Sequence, residues 1–278
     1  MKKIKWLLLL ISLSTFVAYE AYSGYPMPPA VTYGLIRDEY GHPLLHGSSA
    51  WLVKADTPTN ICAGHTIEGL IRPDVNYRLS LELENEPPLM REYAALVGTP
   101  MQIIVKIGED VQPLTPSPFF NAPAAGTSRR IDFCTGVDSD NDGLPDAWEW
   151  LIIAWSEGLY SSLADITPDG DLDNDGMTNL QEFLAGTNPL LATDLLKVTN
   201  LERVKDSNRM AITFTTVENR RYRVVTTTLG AENQWIPVPT ADSAKAGLSY
   251  QTYKGTGRDI TLYLDTQQPA AMFRIAVD

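Results

Sequence analysis

Lysine and arginine are missing from the middle of this chain: residues 131–196 hold fourteen acidic side chains and no basic one. The flanks are close to balanced, with 11 acids and 8 bases over 24–130 and 8 acids and 11 bases over 197–278, so the net charge of −12 is owed to the middle. Solvated surfaces mix both signs, and so long a run of one sign calls for a cation. It also argues against nucleic acid as a partner, because phosphates would be repelled.

Histidine is scarce too: His42, His46 and His65 are the whole set. On a helix His42 and His46 would form a metal pair, but Gly41 and Pro43 place them in a turn. There is no Gly-x-Ser-x-Gly elbow, phosphate-binding loop or His-Glu-x-x-His pair. Asp and Glu are plentiful, which leaves a carboxylate pair of the glycosidase kind as the one enzymatic alternative. The expectation is that the chain is not an enzyme. Cysteine is limited to Cys62 and Cys134, which excludes a disulfide-dense scaffold. Those two are either one bridge across a long loop or two buried thiols, and the sequence leaves both open.

Long apolar runs are confined to the start. Lys2, Lys3 and Lys5 precede an apolar stretch from Trp6 to Ala18, and Ala21-Tyr22-Ser23 follows with small residues at the positions a signal peptidase reads. That is the three-part plan of a secretory signal. The stretch falls short of the roughly 20 apolar residues a bilayer span needs. The reading is a signal over 1–23, a secreted or cell-envelope location, and no membrane span after cleavage.

Of what is present, period-two alternation dominates. In Tyr77, Leu79, Leu81 and Leu83 every second residue is apolar, and strands are predicted also at Val31–Arg37, Ala50–Lys54, Thr66–Ile71, Gln102–Ile107 and Arg129–Cys134. Asp56-Thr57-Pro58 and Arg72-Pro73-Asp74 read as turns, Leu89–Leu96 as a short helix, and the Pro-, Ala- and Ser-rich segment 113–128 as a loop. Toward the C-terminus, Arg209–Thr216, Tyr222–Thr228, Ile260 to Leu264 and Phe273 to Val277 read as strands, with Trp235 as a core anchor. The predicted fold is mainly β: a β-sandwich over 24–134, a small helical module over 135–193, and a second β-sandwich over 194–278. Gly34 to Leu44 followed by Gly47 to Val53 resembles the opening of carboxypeptidase-regulatory-like, transthyretin-type sandwiches. That likeness implies a structural sandwich and no chemistry.

The acids of the middle are not scattered. Asp138-Ser139-Asp140-Asn141-Asp142-Gly143-Leu144-Pro145-Asp146-Ala147-Trp148-Glu149 and Asp171-Leu172-Asp173-Asn174-Asp175-Gly176-Met177-Thr178-Asn179-Leu180-Gln181-Glu182 share one pattern. Acids stand at positions 1, 3 and 5, glycine at 6, Asp or Asn at 9 and Glu at 12, the plan of an EF-hand-type calcium loop. Ca²⁺ is hard and takes six to eight oxygens at roughly 2.3–2.6 Å. Alternate acids on a curled backbone turn inward, and Gly143 and Gly176 permit the sharp turn. The carbonyls of Leu144 and Met177 add an oxygen, Asp146 and Asn179 reach the ion directly or through water, and Glu149 and Glu182 close the shell. The candidate ligands are therefore Asp138, Asp140, Asp142, Leu144, Asp146 and Glu149 in one loop, and Asp171, Asp173, Asp175, Met177, Asn179 and Glu182 in the other. The absence of His and Cys from both loops disfavours zinc and copper.

Each loop should lead into a helix. Trp148, Leu151, Ile152 and Trp155 share a face after the first, and Leu180, Phe183 and Leu184 lie on the second, which Gly186 should cap. Thr135-Gly136-Val137 and Thr167-Pro168-Asp169-Gly170 leave no room for an entering helix. Position 8 holds Pro145 and Thr178 in place of the usual apolar residue. In this the pair resembles the loop-plus-helix repeats of dockerins and thrombospondin type 3-like calcium repeats. The resemblance implies a calcium-stiffened structural or interaction protein. A dockerin-like or carbohydrate-recognition module is the alternative, with a surface protein or polysaccharide as partner.

Overall fold

The computed structural model describes residues 27–71, 75–85, 91–218, 220–228, 235–265 and 271–277. The predicted signal segment lies outside them. Among the described residues, no helix is long and apolar enough to cross a membrane.

The fold is mainly β with a small helical segment between two groups of sheets. In the strand Tyr77–Leu81 the alternation is realised: Tyr77, Leu79 and Leu81 are buried while Arg78 and Ser80 face out. This strand pairs antiparallel with Ala30–Gly34, which pairs in parallel with Ser128–Arg130. A second sheet sets Phe133–Thr135 between Leu114–Thr115 and Ile36–Arg37. A third, larger sheet runs Phe119–Asn121, Pro100–Ile107, Ser48–Lys54, Thr57–Ile67, with Asp110–Gln112 paired beside Pro100–Ile107. All three contribute to one core, in which Ile36, Leu52, Tyr77, Leu79, Met101 and Phe133 are almost wholly excluded from solvent.

In this part of the chain several elements differ from those predicted. The strand placed at Thr66–Ile71 runs from Thr57 to Ile67, and the turn before it is only Ala55–Asp56. Pro58, read as a turn residue, sits in an edge strand next to a register shift, where its missing N–H breaks no ladder. The helix expected over Leu89–Leu96 does not form across 91–96. There Ala95–Leu96 pairs in parallel with Leu83–Glu84, so a partner distant in sequence wins over local helical preference; residues 86–90 lie outside the described ones. The segment 113–128, expected as a loop, supplies Leu114–Thr115, Phe119–Asn121 and the start of Ser128–Arg130, because neighbouring strands offer it free backbone groups.

The C-terminal group follows the sequence closely. Val198–Arg203, Arg209–Phe214, Ile260–Asp265 and Thr240–Ala241 form one sheet in that order. Arg221–Thr228 pairs with Ala271–Val277, Tyr253–Lys254 and Ile236–Pro237 in another. Ile212, Phe214, Tyr222, Val224, Leu262 and Leu264 are its core. Trp235 is not the anchor expected: it is half-buried and stacks beneath Arg274, whose guanidinium lies 4.4 Å from its ring centroid. Phe214 and Tyr222, with centroids 5.6 Å apart, occupy the centre instead.

Cys62 and Cys134 are both free thiols. Cys62 belongs to the first core, while Cys134 packs against the helical segment. Of the two open alternatives, the unpaired thiols are realised, and burial pushes the Cys134 thiol up to about 11.

Candidate metal centre

Both acidic loops lead into helices: α1 (Asp146–Trp155) and α2 (Asn179–Ala185). Thr178 starts α2 with a reciprocal cap, its Oγ1 accepting from Gln181 N while Gln181 Oε1 accepts from Thr178 N. Gly186 ends it in the left-handed region at φ +78°, as expected. Neither loop has an entering helix.

The loops have one backbone design used twice. Asp138 accepts from the amides of Asp142 and Gly143 at 3.2 and 3.1 Å. Asp171 accepts from Asp175 and Gly176 at 3.2 and 3.0 Å. Asp142 Oδ1 takes the N–H of Leu144 and Asp175 Oδ1 that of Met177. Each loop then closes on itself: Asp146 N donates to Val137 O at 2.8 Å, and Asn179 N to Gly170 O at 2.7 Å. This bond lets each loop close without the bridge to a second loop that Pro145, lacking an N–H, could not donate to. Two residues that are not among the candidate ligands make the curl. Asn141 and Asn174 lie in the left-handed region at φ 60° and 61°, where asparagine is tolerated better than most side chains. Their recurrence at the fourth position of both loops was the available signal.

The curl gathers Asp138, Asp140 and Asp142 so that one oxygen from each lies within 4.8 Å of the others, and does the same for Asp171, Asp173 and Asp175. Glu149 and Glu182, on the first turns of α1 and α2, are wholly buried. Glu149 has no hydrogen-bond partner for either carboxylate oxygen. Glu182 keeps one bond, from Thr187 Oγ1 at 3.2 Å, and its other oxygen has none. Asp173 Oδ2, Asp175 Oδ2 and Asn179 Oδ1 are likewise buried without a partner. Burial first, and the neighbouring aspartates second, push Glu149 and Glu182 up to about 8 and raise Asp142 and Asp173. Buried oxygens without donors are costly, and a hard cation coordinated by oxygen satisfies them together.

At position 9 the loops differ. Asp146 is held by Ser139, which donates its N–H at 2.7 Å and its hydroxyl at 2.5 Å. Asn179 is held through its amide nitrogen, which donates to Thr167 O at 2.7 Å, leaving its oxygen unpaired. Ser139, Thr167 and Thr187 were not foreseen, since nothing in their spacing marks them.

A compact core backs the loops. Leu144, Trp148, Ile152, Ile166 and Phe183 form it, with Trp148 edge-on to Phe183 at 5.5 Å and 72°. Trp155, expected in this face, is 51% exposed. Trp155 is the last residue of α1 and lies beyond Ile152, the last of its residues to be buried. His42 Nδ1 lies 3.2 Å from Asp38 Oδ2 within the turn.

Segments 138–150 and 171–192 match the bacterial TSP3 repeat. TSP3 repeats are of a calcium-binding type, and both matches begin on the first aspartate of a loop. No curated protein matches the chain. Among solved structures, a "putative carbohydrate binding protein" from Bacteroides uniformis aligns over 90% of this chain and 89% of its own, at 10% identity and a TM-score of 0.20. So low a score carries no argument about fold or ligand. The TSP3 segments span both acidic triads and both buried glutamates.

Proposed function

We propose that the chain is an exported, non-catalytic structural protein in which two calcium ions, one per loop, stiffen a helical module (135–193) between two β units (24–134 and 194–278). One ion is held by Asp138, Asp140, Asp142, the Leu144 carbonyl and Glu149, with Asp146 reached through water because Ser139 occupies its carboxylate. The other is held by Asp171, Asp173, Asp175, the Met177 carbonyl, Glu182 and Asn179 Oδ1. The observation that carries this is the set of six buried oxygens with no donor, on Glu149, Asp173, Asp175, Asn179 and Glu182. Affinity is expected at about 10⁻⁴–10⁻³ M, as for extracellular modules. Calorimetry with calcium, beside melting curves in calcium and in chelator, tests it. Two sites lost in the double variant Asp138→Ala, Asp171→Ala support the reading; no heat and no shift at millimolar calcium would refute it.

A second reading rests on Trp150 and Trp155, each 51% exposed on α1. Exposed tryptophans suit an interaction module that offers aromatic side chains to a polysaccharide or another surface protein. Pull-down on a polysaccharide panel, with and without Trp150→Ala and Trp155→Ala, separates the two.

A further inference from the structure

Arg220 is 2% exposed and, among the described residues, has no carboxylate partner. Its backbone belongs to the C-terminal sheets: Arg220 N donates to Val217 O, Gly255 N donates to Arg220 O at 2.8 Å, and Tyr222 Oη accepts from Val217 N at 2.7 Å. Its guanidinium lies among carbonyls of two other parts of the chain. Nη2 donates to Phe183 O and to Tyr40 O, both at 3.1 Å, and Nη1 donates to Gly41 O. Phe183 O belongs to the last turn of α2, where carbonyls lack helical partners and the dipole is negative. Tyr40 and Gly41 belong to the turn after Ile36–Arg37 in the first β unit.

Space has been left for this side chain on both sides. A Cβ on Gly186 would lie 2.6 Å from Arg220 Nε, and one on Gly41 would lie 2.9 Å from Nη2 and 2.8 Å from Phe183 O. The nearby charges are Arg37, which opposes it, and Asp38, which favours it. Burial lowers its pKa to about 10, which leaves it charged at neutral pH. A planar fork of fixed donors reaches three carbonyls at once, which a lysine would not do in the same way.

We infer that Arg220 is a positioning residue for the second loop: by holding the Phe183 carbonyl it fixes the turn of α2 that carries Glu182, and it couples that loop to the Asp38–Gly41 turn of the first β unit. The inference rests on calcium binding at 171–182 and adds the part that transmits it. Glu182 and Phe183 are consecutive, so an ion that fixes the Glu182 carboxylate also fixes the carbonyl Arg220 grips. Coupling between two sites is reciprocal: Arg220 should favour calcium at loop two, and calcium there should steady the distant turn.

The test uses the full chain in two backgrounds, loop one silenced by Asp138→Ala with Asp140→Ala, or loop two silenced by Asp171→Ala with Asp173→Ala. Adding Arg220→Ala should weaken loop two about tenfold and leave loop one within about twofold. Calcium should also slow hydrogen exchange over 38–44 in the unaltered chain and fail to do so once Arg220 is removed. Equal losses at both loops, no loss at either, or calcium protection of 38–44 that survives Arg220→Ala would overturn the inference. If Arg220→Ala does not fold, Arg220→Lys keeps the charge without the fork and should show the same loop-two selectivity with a smaller loss; unselective or absent loss in that variant overturns it too. A chain with Arg220 intact and loop one silenced that binds no calcium would refute the calcium reading itself, a result distinct from any of these.

Discussion

Ser139 grips both oxygens of Asp146, with its amide at 2.7 Å and its hydroxyl at 2.5 Å. The aspartate at position 9 of the first loop is thereby turned into a brace across the loop. Its counterpart Asn179 is braced through nitrogen and keeps its oxygen for the ion. Removing the hydroxyl in Ser139→Ala should loosen loop one and weaken its calcium binding about fivefold, the equivalent of ~1 kcal/mol for a lost hydrogen bond. Loop two should be unaffected. Site-resolved calorimetry in singly silenced chains checks this, and an equal effect on both loops would sink it.

Calcium binding should release protons. In the metal-free fold Glu149 and Glu182 titrate at about 8, against an ordinary value of 4.5, because they are buried beside other carboxylates. Between those values the metal-free folded chain holds protons that the unfolded chain has lost. These two groups therefore contribute stability that is fully present below about pH 4.5 and is lost as pH rises through about 8. A calcium ion must displace the same protons, so apparent affinity rises with pH up to about 8 and then levels off. At pH 6.5, titrations in buffers of different ionisation heat should report roughly two protons released per chain, falling toward none at pH 9. A binding heat independent of buffer at pH 6.5 would contradict this.

The loops were legible because their chemistry is local: every candidate ligand of a loop lies within twelve consecutive residues, and spacing alone carries the pattern. The strand Tyr77–Leu81 was legible for the same reason, its alternation being a property of neighbours. What could not be read depends on partners far away. Pro58 enters a strand because Ser48–Lys54 leaves an edge for it, and Ala95 leaves a helical pattern to pair with Leu83. Arg220 meets Tyr40 across 180 positions of sequence. Trp155 had the correct spacing, yet it stands at the end of α1 and stays outside, which spacing alone does not reveal.

The two thiols should prove independent of the fold's stability. Cys62 and Cys134 lie in different cores and are unpaired. Without reductant, labelling of the unfolded chain should count two free thiols, and reductant should leave the melting temperature unchanged. In the folded chain Cys134 should react slowly at neutral pH, because burial raises its pKa to about 11 and thiolate is the reacting form. A shift of melting temperature on reduction would show a bridge.

Trp148 and Trp155 occupy the same helix with the same side chain and should behave in opposite ways. Trp148 is 6% exposed, sits edge-on to Phe183 and fills the space behind both loops. Its removal opens a cavity in the core behind the loops, and Trp148→Ala should cost about 3–5 kcal/mol. Because Glu149 and Glu182 ride on those helices, calcium binding should weaken at both loops together. Trp155 is 51% exposed, and Trp155→Ala should stay within about 0.5 kcal/mol and leave calcium binding intact. Denaturant melts in saturating calcium measure the first difference and calorimetry the second. Equal costs for the two tryptophans would mean that the core behind the loops extends along the whole of α1, and that the metal centre is braced by more than the Trp148–Phe183 contact.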